Sequence, residues 1–269
     1  AGYKRIDSLF TGIYSDKALY DQMVSFTETD EYQALSAKKK LLVDDLIDGF
    51  KQSGVGLSAD DLRTYKRLNK EINDLTSEYA TNMNTANELL ILNEAGAEGL
   101  PENFKKTYAA GEGRYEIPAI NATRSPILEN ASREMTRKNF YMKFYNRASD
   151  NNLAILDSLV QKRYELAQVM GYDTYADYNL VPKMAKNADN VWDFVNGLVE
   201  ASRDKAKTDL EELDQTRIKS SRGSDESLDP WDFLYYKNEI LKTKYNVDPE
   251  EIRNYFPNLS MNFLIMKKL

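Results

Sequence analysis

Histidine and cysteine are both missing from the 269 residues. Without imidazole or thiolate the chain cannot build a serine triad, a Cys–His dyad or a His-containing zinc site, and it forms no disulfide. Carboxylates, Lys, Arg, Tyr and Ser/Thr hydroxyls are all that remain for chemistry. A carboxylate calcium loop would need spaced Asp/Asn around a central Gly and a closing Glu, and that pattern is absent. Long apolar runs are absent too: nothing approaches the roughly 18 consecutive apolar residues of a membrane span. The opening AGYKRIDSLF has no apolar core of a signal peptide. The expectation is a soluble chain with no membrane partner. The lack of cysteine leaves the redox compartment open, and the cytoplasm is favoured over the periplasm or secretion. Positive charge is not in excess: 36 Lys+Arg stand against 43 Asp+Glu, interspersed along the chain, with a pI near 5.0. A basic nucleic-acid-binding face is therefore not indicated, and no nucleic-acid partner is expected.

What is present is helical patterning. The 42% of hydrophobic residues suffices for a sizeable core, which argues against disorder. After Gly54 and Gly56, apolar residues recur every three or four positions at Leu62, Tyr65, Leu68, Ile72, Leu75, Tyr79, Met83, Ala86 and Leu90. The spacing predicts one long amphipathic helix running to about Asn93, capped by Ser58 with Asp61 three residues on. Upstream, Ser15 is placed to cap a short helix carrying Leu19, Met23 and Phe26. Asp30 is placed to open another that buries Leu42, Val43, Leu46, Ile47 and Phe50. Gly96 to Pro126, with GEGRYEIPAI, reads as a loop with one short strand or hairpin around Tyr115 to Ile117.

Helices return at Pro126, first through Leu128, Ala131, Met135 and Met142 toward Arg147. The next runs from Asn152 through Ile155, Leu156, Leu159, Val160, Leu166 and Ala167 to Gly171, placed as a left-handed terminator. A further helix after Asp189 lines Val191, Val195, Leu198, Ser202, Ala206, Leu210 and Leu213 along one face. Gln215 to Leu228 then breaks the pattern with the polar KSSRGSDES. Asp229-Pro230 and Asp248-Pro249 each put a capping Asp before a Pro suited to the first helical position. Pro257 is expected to end the second of these helices, leaving a short apolar stretch from Met261 to Leu269. The fold class expected is predominantly all-α: an irregular bundle of at least eight helices with at most a small β hairpin near residues 106–124. Residues 1–269 read as one helical lobe, divisible into 1–105 and 125–269.

Candidate functional residues are few. Asp44, Asp45 and Asp48 are the densest carboxylates, best read as a solvated helix face, and Lys38, Lys39 and Lys40 likewise. Gly111 and Gly113 mark a turn rather than a dinucleotide loop, because the third glycine and flanking βα pattern are missing. Asn121, Asn130 and Asn258 begin glycosylation triplets that matter only in a secretory context. Of the eighteen tyrosines, Tyr141, Tyr145, Tyr164, Tyr172, Tyr175 and Tyr178 lie close in sequence; core or core-edge positions suit them better than a ligand-lining wall.

The run from Asn152 to Leu198 is similar to a helical segment of the M3 zinc oligopeptidases, the family of thimet oligopeptidase, neurolysin, oligopeptidase A and dipeptidyl carboxypeptidase. Asn152, Leu156, Arg163, Ala167, Gly171-Tyr172, Ala176 and Lys183-Met184-Ala185 carry the likeness in family order. RKNFYMKFYNRA from Arg137 to Ala148 resembles the preceding family helix. Asp229-Pro230-Trp231-Asp232 with Tyr235-Tyr236, then Tyr255-Phe256-Pro257, resembles the last signature before the catalytic sequence. FKQSGVGL and GLPENF extend the likeness to residues 15–257, whereas NLSMNFLIMKKL departs from it by lacking a Gly expected after Tyr-Phe-Pro.

The resemblance implies a zinc peptidase in which a His-Glu-x-x-His helix and a downstream Glu hold the metal. It places these, with the family's substrate-orienting Tyr and His, beyond Leu269. No catalytic, cofactor-binding or metal residue carries over onto this chain. Zinc is expected only in the full-length parent, whose partners would be short peptides and the missing C-terminal catalytic lobe; the chain alone is expected to be inactive. The alternative is a stand-alone helical protein-interaction module without catalysis.

Overall fold

A computed structural model describes residues 2–220 and 227–255. Five helices open the chain: α1 (Gly2–Tyr14), α2 (Lys17–Thr27), α3 (Asp30–Gln33), α4 (Ala37–Gln52) and α5 (Ala59–Thr85). Strand β1 (Leu89–Asn93), helix α6 (Glu102–Thr107) and strand β2 (Arg114–Pro118) follow. The rest is helical: α7 (Asn121–Asn130), α8 (Glu134–Tyr145), α9 (Ser149–Val169), α10 (Tyr175–Leu180), α11 (Ala188–Ser220), α12 (Phe233–Tyr245) and α13 (Pro249–Tyr255). The all-α class with one small two-stranded sheet is thus observed. No helix among the described residues is long and apolar enough to cross a membrane. Pro257 and the stretch from Met261 lie outside the described residues.

The described residues form two compact units, residues 2–82 with 150–198, and residues 83–149 with 199–220 and 227–255. The first is organised by α5 and α9: Tyr65, Leu68 and Ile72 bury against Ile155, Leu159 and Leu166. Asn152 locks the two together, its Nδ2 donating to the Tyr79 carbonyl at 3.2 Å and its Oδ1 accepting from Asn82 at 3.0 Å. Ser58 Oγ accepts from the Asp61 N–H at 3.1 Å, so α5 starts where the sequence places it. Ser58→Ala is expected to cost about 1 kcal/mol, read as a fall in the urea midpoint at unchanged m-value.

In the second unit β1 and β2 pair antiparallel, with Leu90 opposite Ile117 and Leu92 opposite Tyr115. Their inner side chains Leu90, Leu92 and Ile117 pack with Ile127, Leu128, Phe140 and Phe144. The outward Ile91 is 57% exposed, the period-2 alternation of a half-buried strand.

Several local expectations are corrected. The long helix stops at Thr85 rather than Asn93, because Leu90 and Leu92 fit a strand facing the core as well as they fit a helical stripe. The sheet therefore takes one strand from the expected stretch and one from the expected helix. Within 106–124 the chain does turn back on itself, Glu116 N donating to Tyr108 O and Ala110 N to Arg114 O around Gly111 and Gly113. The cap of α2 is Asp16, whose carboxylate accepts from Ala18 and Leu19, while the Ser15 hydroxyl donates back to the Thr11 carbonyl and closes α1. Thr29 caps α3, which breaks before α4, and Leu42 is 59% exposed while Ile47 and Phe50 are buried.

The helix expected through Met135 and Met142 is two helices. Its buried face is Thr136, Arg137, Phe140 and Phe144, with both methionines exposed. On α9, Leu156 and Val160 are exposed. Residues 215–220 continue α11 instead of breaking it, since Leu213 and Arg217 are buried one turn apart. Gly171 ends α9 with φ +80°, as expected.

Candidate functional site

The second unit holds the most densely bonded polar group of the described chain, built on α8 and the turn before α12. Arg137 shares a stripe with Phe140 and Phe144, so its guanidinium is drawn into the core, where it is 1% exposed. Nε donates to Asp232 Oδ1 at 3.0 Å and Nη2 donates to the same oxygen. Nη1 donates to the carbonyls of Ala131 at 2.8 Å and Ser132 at 3.2 Å, and the guanidinium lies over the Tyr235 ring at 4.2 Å. This satisfies a buried cation by charge, by backbone dipoles and by a π face together. Burial pushes the Asp232 carboxyl up, and Arg137 pulls it back.

Asp232 is consumed by this pairing, so it makes no capping bond, and α12 begins at Phe233. Pro230 accordingly lies in a turn ahead of the helix and not at its first position, a correction to the Asp229-Pro230 expectation. Asp248 does cap, accepting from Glu250 N at 2.9 Å. Around the pair, Trp231 Nε1 donates to Glu134 at 3.2 Å, Lys138 lies 4.7 Å over the Trp231 ring, and Tyr141 meets that ring edge-on.

Carboxylate oxygens of Glu134, Asp229 and Asp232 lie within 4.8 Å of one another. They do not suit zinc: all donors are oxygen where zinc prefers nitrogen and sulfur, and Asp232 and Glu134 already serve Arg137 and Trp231.

The other candidates disperse. Asp44 accepts from the Tyr32 hydroxyl at 3.0 Å and Asp48 pairs with Lys51 at 3.3 Å, all on an exposed face. Asp45 and Asp48 border a cleft of about 650 Å³ together with Tyr14, Tyr172 and Lys186. Lys38 and Lys39 are exposed, and Lys40 lies over the Tyr32 ring at 5.4 Å. Asn130 is buried with its amide on the Pro126 carbonyl, which removes its glycosylation triplet from reach; Asn121 is exposed, and Asn258 lies outside the described residues.

Tyr141 and Tyr145 meet with tilted rings, centroids 4.3 Å apart, in the second unit. Tyr172, Tyr175 and Tyr178 cluster in the first, where the Tyr178 hydroxyl donates to the Gln52 carbonyl at 2.7 Å and burial pushes its pKa up. Tyr164 stands 51% exposed on α9. Arg163 reaches over the Tyr175 ring at 5.4 Å, and Met184 is fully exposed.

The Arg137–Asp232 pair joins two sequence segments that separately resemble one family, and a comparison covering both decides the matter. The sequence model of peptidase family M3 matches residues 127–264, more than half of the chain. The chain belongs to this family. Among M3 relatives, oligopeptidase A of Escherichia coli is 27% identical over 278 residues, covering 96% of this chain and 41% of that protein. Saccharolysin of Saccharomyces cerevisiae is 30% identical over 216 residues, covering 76% of this chain and 30% of its own length. A probable thimet oligopeptidase of Arabidopsis thaliana is 28% identical over 226 residues, covering 84% and 32%. This M3 member thus spans less than half the length of the relatives it matches.

Residue reading missed the partnership of Arg137 with Asp232, which lie 95 positions apart. One signal was available: an Arg at a core-stripe position, three and seven residues before Phe140 and Phe144, demands a buried anion or acceptor set.

Proposed function

We propose that the chain is the helical lobe of a longer zinc-dependent metallo-oligopeptidase, that it forms part of the wall of a channel for short peptides, and that by itself it neither holds catalytic zinc nor hydrolyses peptides. The observation that carries this reading is family membership over residues 127–264 in a chain that has no histidine and matches only 41% of oligopeptidase A. A zinc peptidase needs a preorganised metal with an open coordination position and a neighbouring base. Among the described residues, Asp232 is spent on Arg137 and Asp48 pairs with Lys51 on a helix surface.

The coding sequence beyond Leu269 is expected to contain a His-Glu-x-x-His motif, and a stop codon there would favour the stand-alone interaction module. Purified 269-residue chain is expected to retain no stoichiometric zinc after dialysis and to leave a quenched fluorescent peptide intact with or without added zinc. Tightly held zinc with chelator-sensitive turnover would overturn the reading.

A further inference from the structure

Helix α9 is apolar over more of its circumference than its own unit covers. Asn152, Ile155, Leu159, Leu166 and Ala167 are buried, yet a second stripe at Leu153, Leu156, Val160 and Tyr164 stands 64%, 43%, 61% and 51% exposed. The spacing of three, four and four residues lines these side chains along one seam, the pattern that receives another helix. Asp150 and Asp157 edge the seam, both exposed and without an ion-pair partner among the described residues.

We propose that this seam seats an amphipathic helix from the part of the parent polypeptide outside these 269 residues, with an apolar stripe on Leu153 to Tyr164 and Lys or Arg along the edge facing Asp150 and Asp157. The inference rests on the reading that the chain is part of a longer peptidase, and the relatives supply the length: it matches 41% of one and 30% of another. A second copy fits less well. Four side chains fall short of the roughly 800 Å² per partner that holds separate chains together, whereas a tethered segment docks at high effective concentration and needs no such area.

The test uses the full-length parent with Val160→Cys, against Ser158→Cys on the solvent side of the same helix, and maps maleimide labelling by peptide mass. The expected result is labelling at position 160 several-fold slower than at 158, the difference vanishing in urea. Wild-type parent provides a second measurement that needs no substitution: Tyr164 is expected to resist hydroxyl-radical footprinting. Equal rates at 158 and 160 would overturn the proposal, as would protection lost on dilution, which marks a second copy. A chelator-sensitive, active parent with freely labelled position 160 would remove the seat and leave the peptidase reading. An inactive parent with position 160 protected would do the reverse.

Discussion

Arg137→Met is expected to destabilise the chain by about 3–5 kcal/mol near neutral pH, because it strands the Asp232 carboxylate in a site where both partners are nearly unexposed. The pH dependence identifies the cause. Burial alone raises the Asp232 carboxyl, and Arg137 is what pulls it down, so the variant holds that carboxyl higher still above its unfolded value. A folded pKa above the unfolded one gives stability that is fully present below the unfolded value and is lost as pH rises through the folded value. The deficit of Arg137→Met should therefore shrink as the buffer is acidified, since Asp232 can take up a proton. Asp232→Asn leaves a guanidinium that no accessible pH neutralises, so its deficit should not shrink in the same way. Urea titrations at two pH values, with the Arg137→Met/Asp232→Leu double variant completing the cycle, measure this. A pH-independent deficit for Arg137→Met would locate the loss in packing instead of charge.

The helices were legible because the 3.6-residue period survives averaging over long segments: α5, α9 and α11 each carry an unbroken stripe in the sequence. What the period cannot say is whether a stripe is covered. Val195, Leu198 and Leu210 on α11, and Leu156 and Val160 on α9, read as core and are exposed in this chain. Leu90 and Leu92 were misread for a different reason: a short apolar run fits both periods, and the arbiter was its pairing with Ile117 and Tyr115 more than twenty residues on. The Arg137–Asp232 site was legible only in halves, as two family-like segments, since nothing in either segment encodes the distance between them.

Gly99 braces the linker on which that buried pair depends, and Gly99→Ala is expected to be among the most damaging glycine substitutions in the chain. The residue has φ +84°, and a Cβ built on it would lie 2.3 Å from the Asn130 carbonyl oxygen, 2.4 Å from Ser132 Oγ and 2.9 Å from Ser132 N. Two of those atoms are backbone, so no rotamer change relieves the clash. They also belong to the linker between α7 and α8, which is tied back by the Ser132 N–H donating to the Glu98 carbonyl at 2.9 Å. The Ala131 and Ser132 carbonyls in that linker receive Arg137 Nη1, so pushing it outward loosens the buried ion pair as well. A left-handed non-glycine residue costs about 1–3 kcal/mol and forced overpacking about as much again, for a total of roughly 2–6 kcal/mol. Gly171→Ala separates the two contributions, because Gly171 has a similar φ of +80° and an added methyl there would meet nothing within 4 Å. It should lose only the conformational part, about 1–2 kcal/mol. Urea midpoints for the two variants decide the issue: equal losses would mean that the Asn130–Ser132 linker yields freely and that its grip on Arg137 is not rigid.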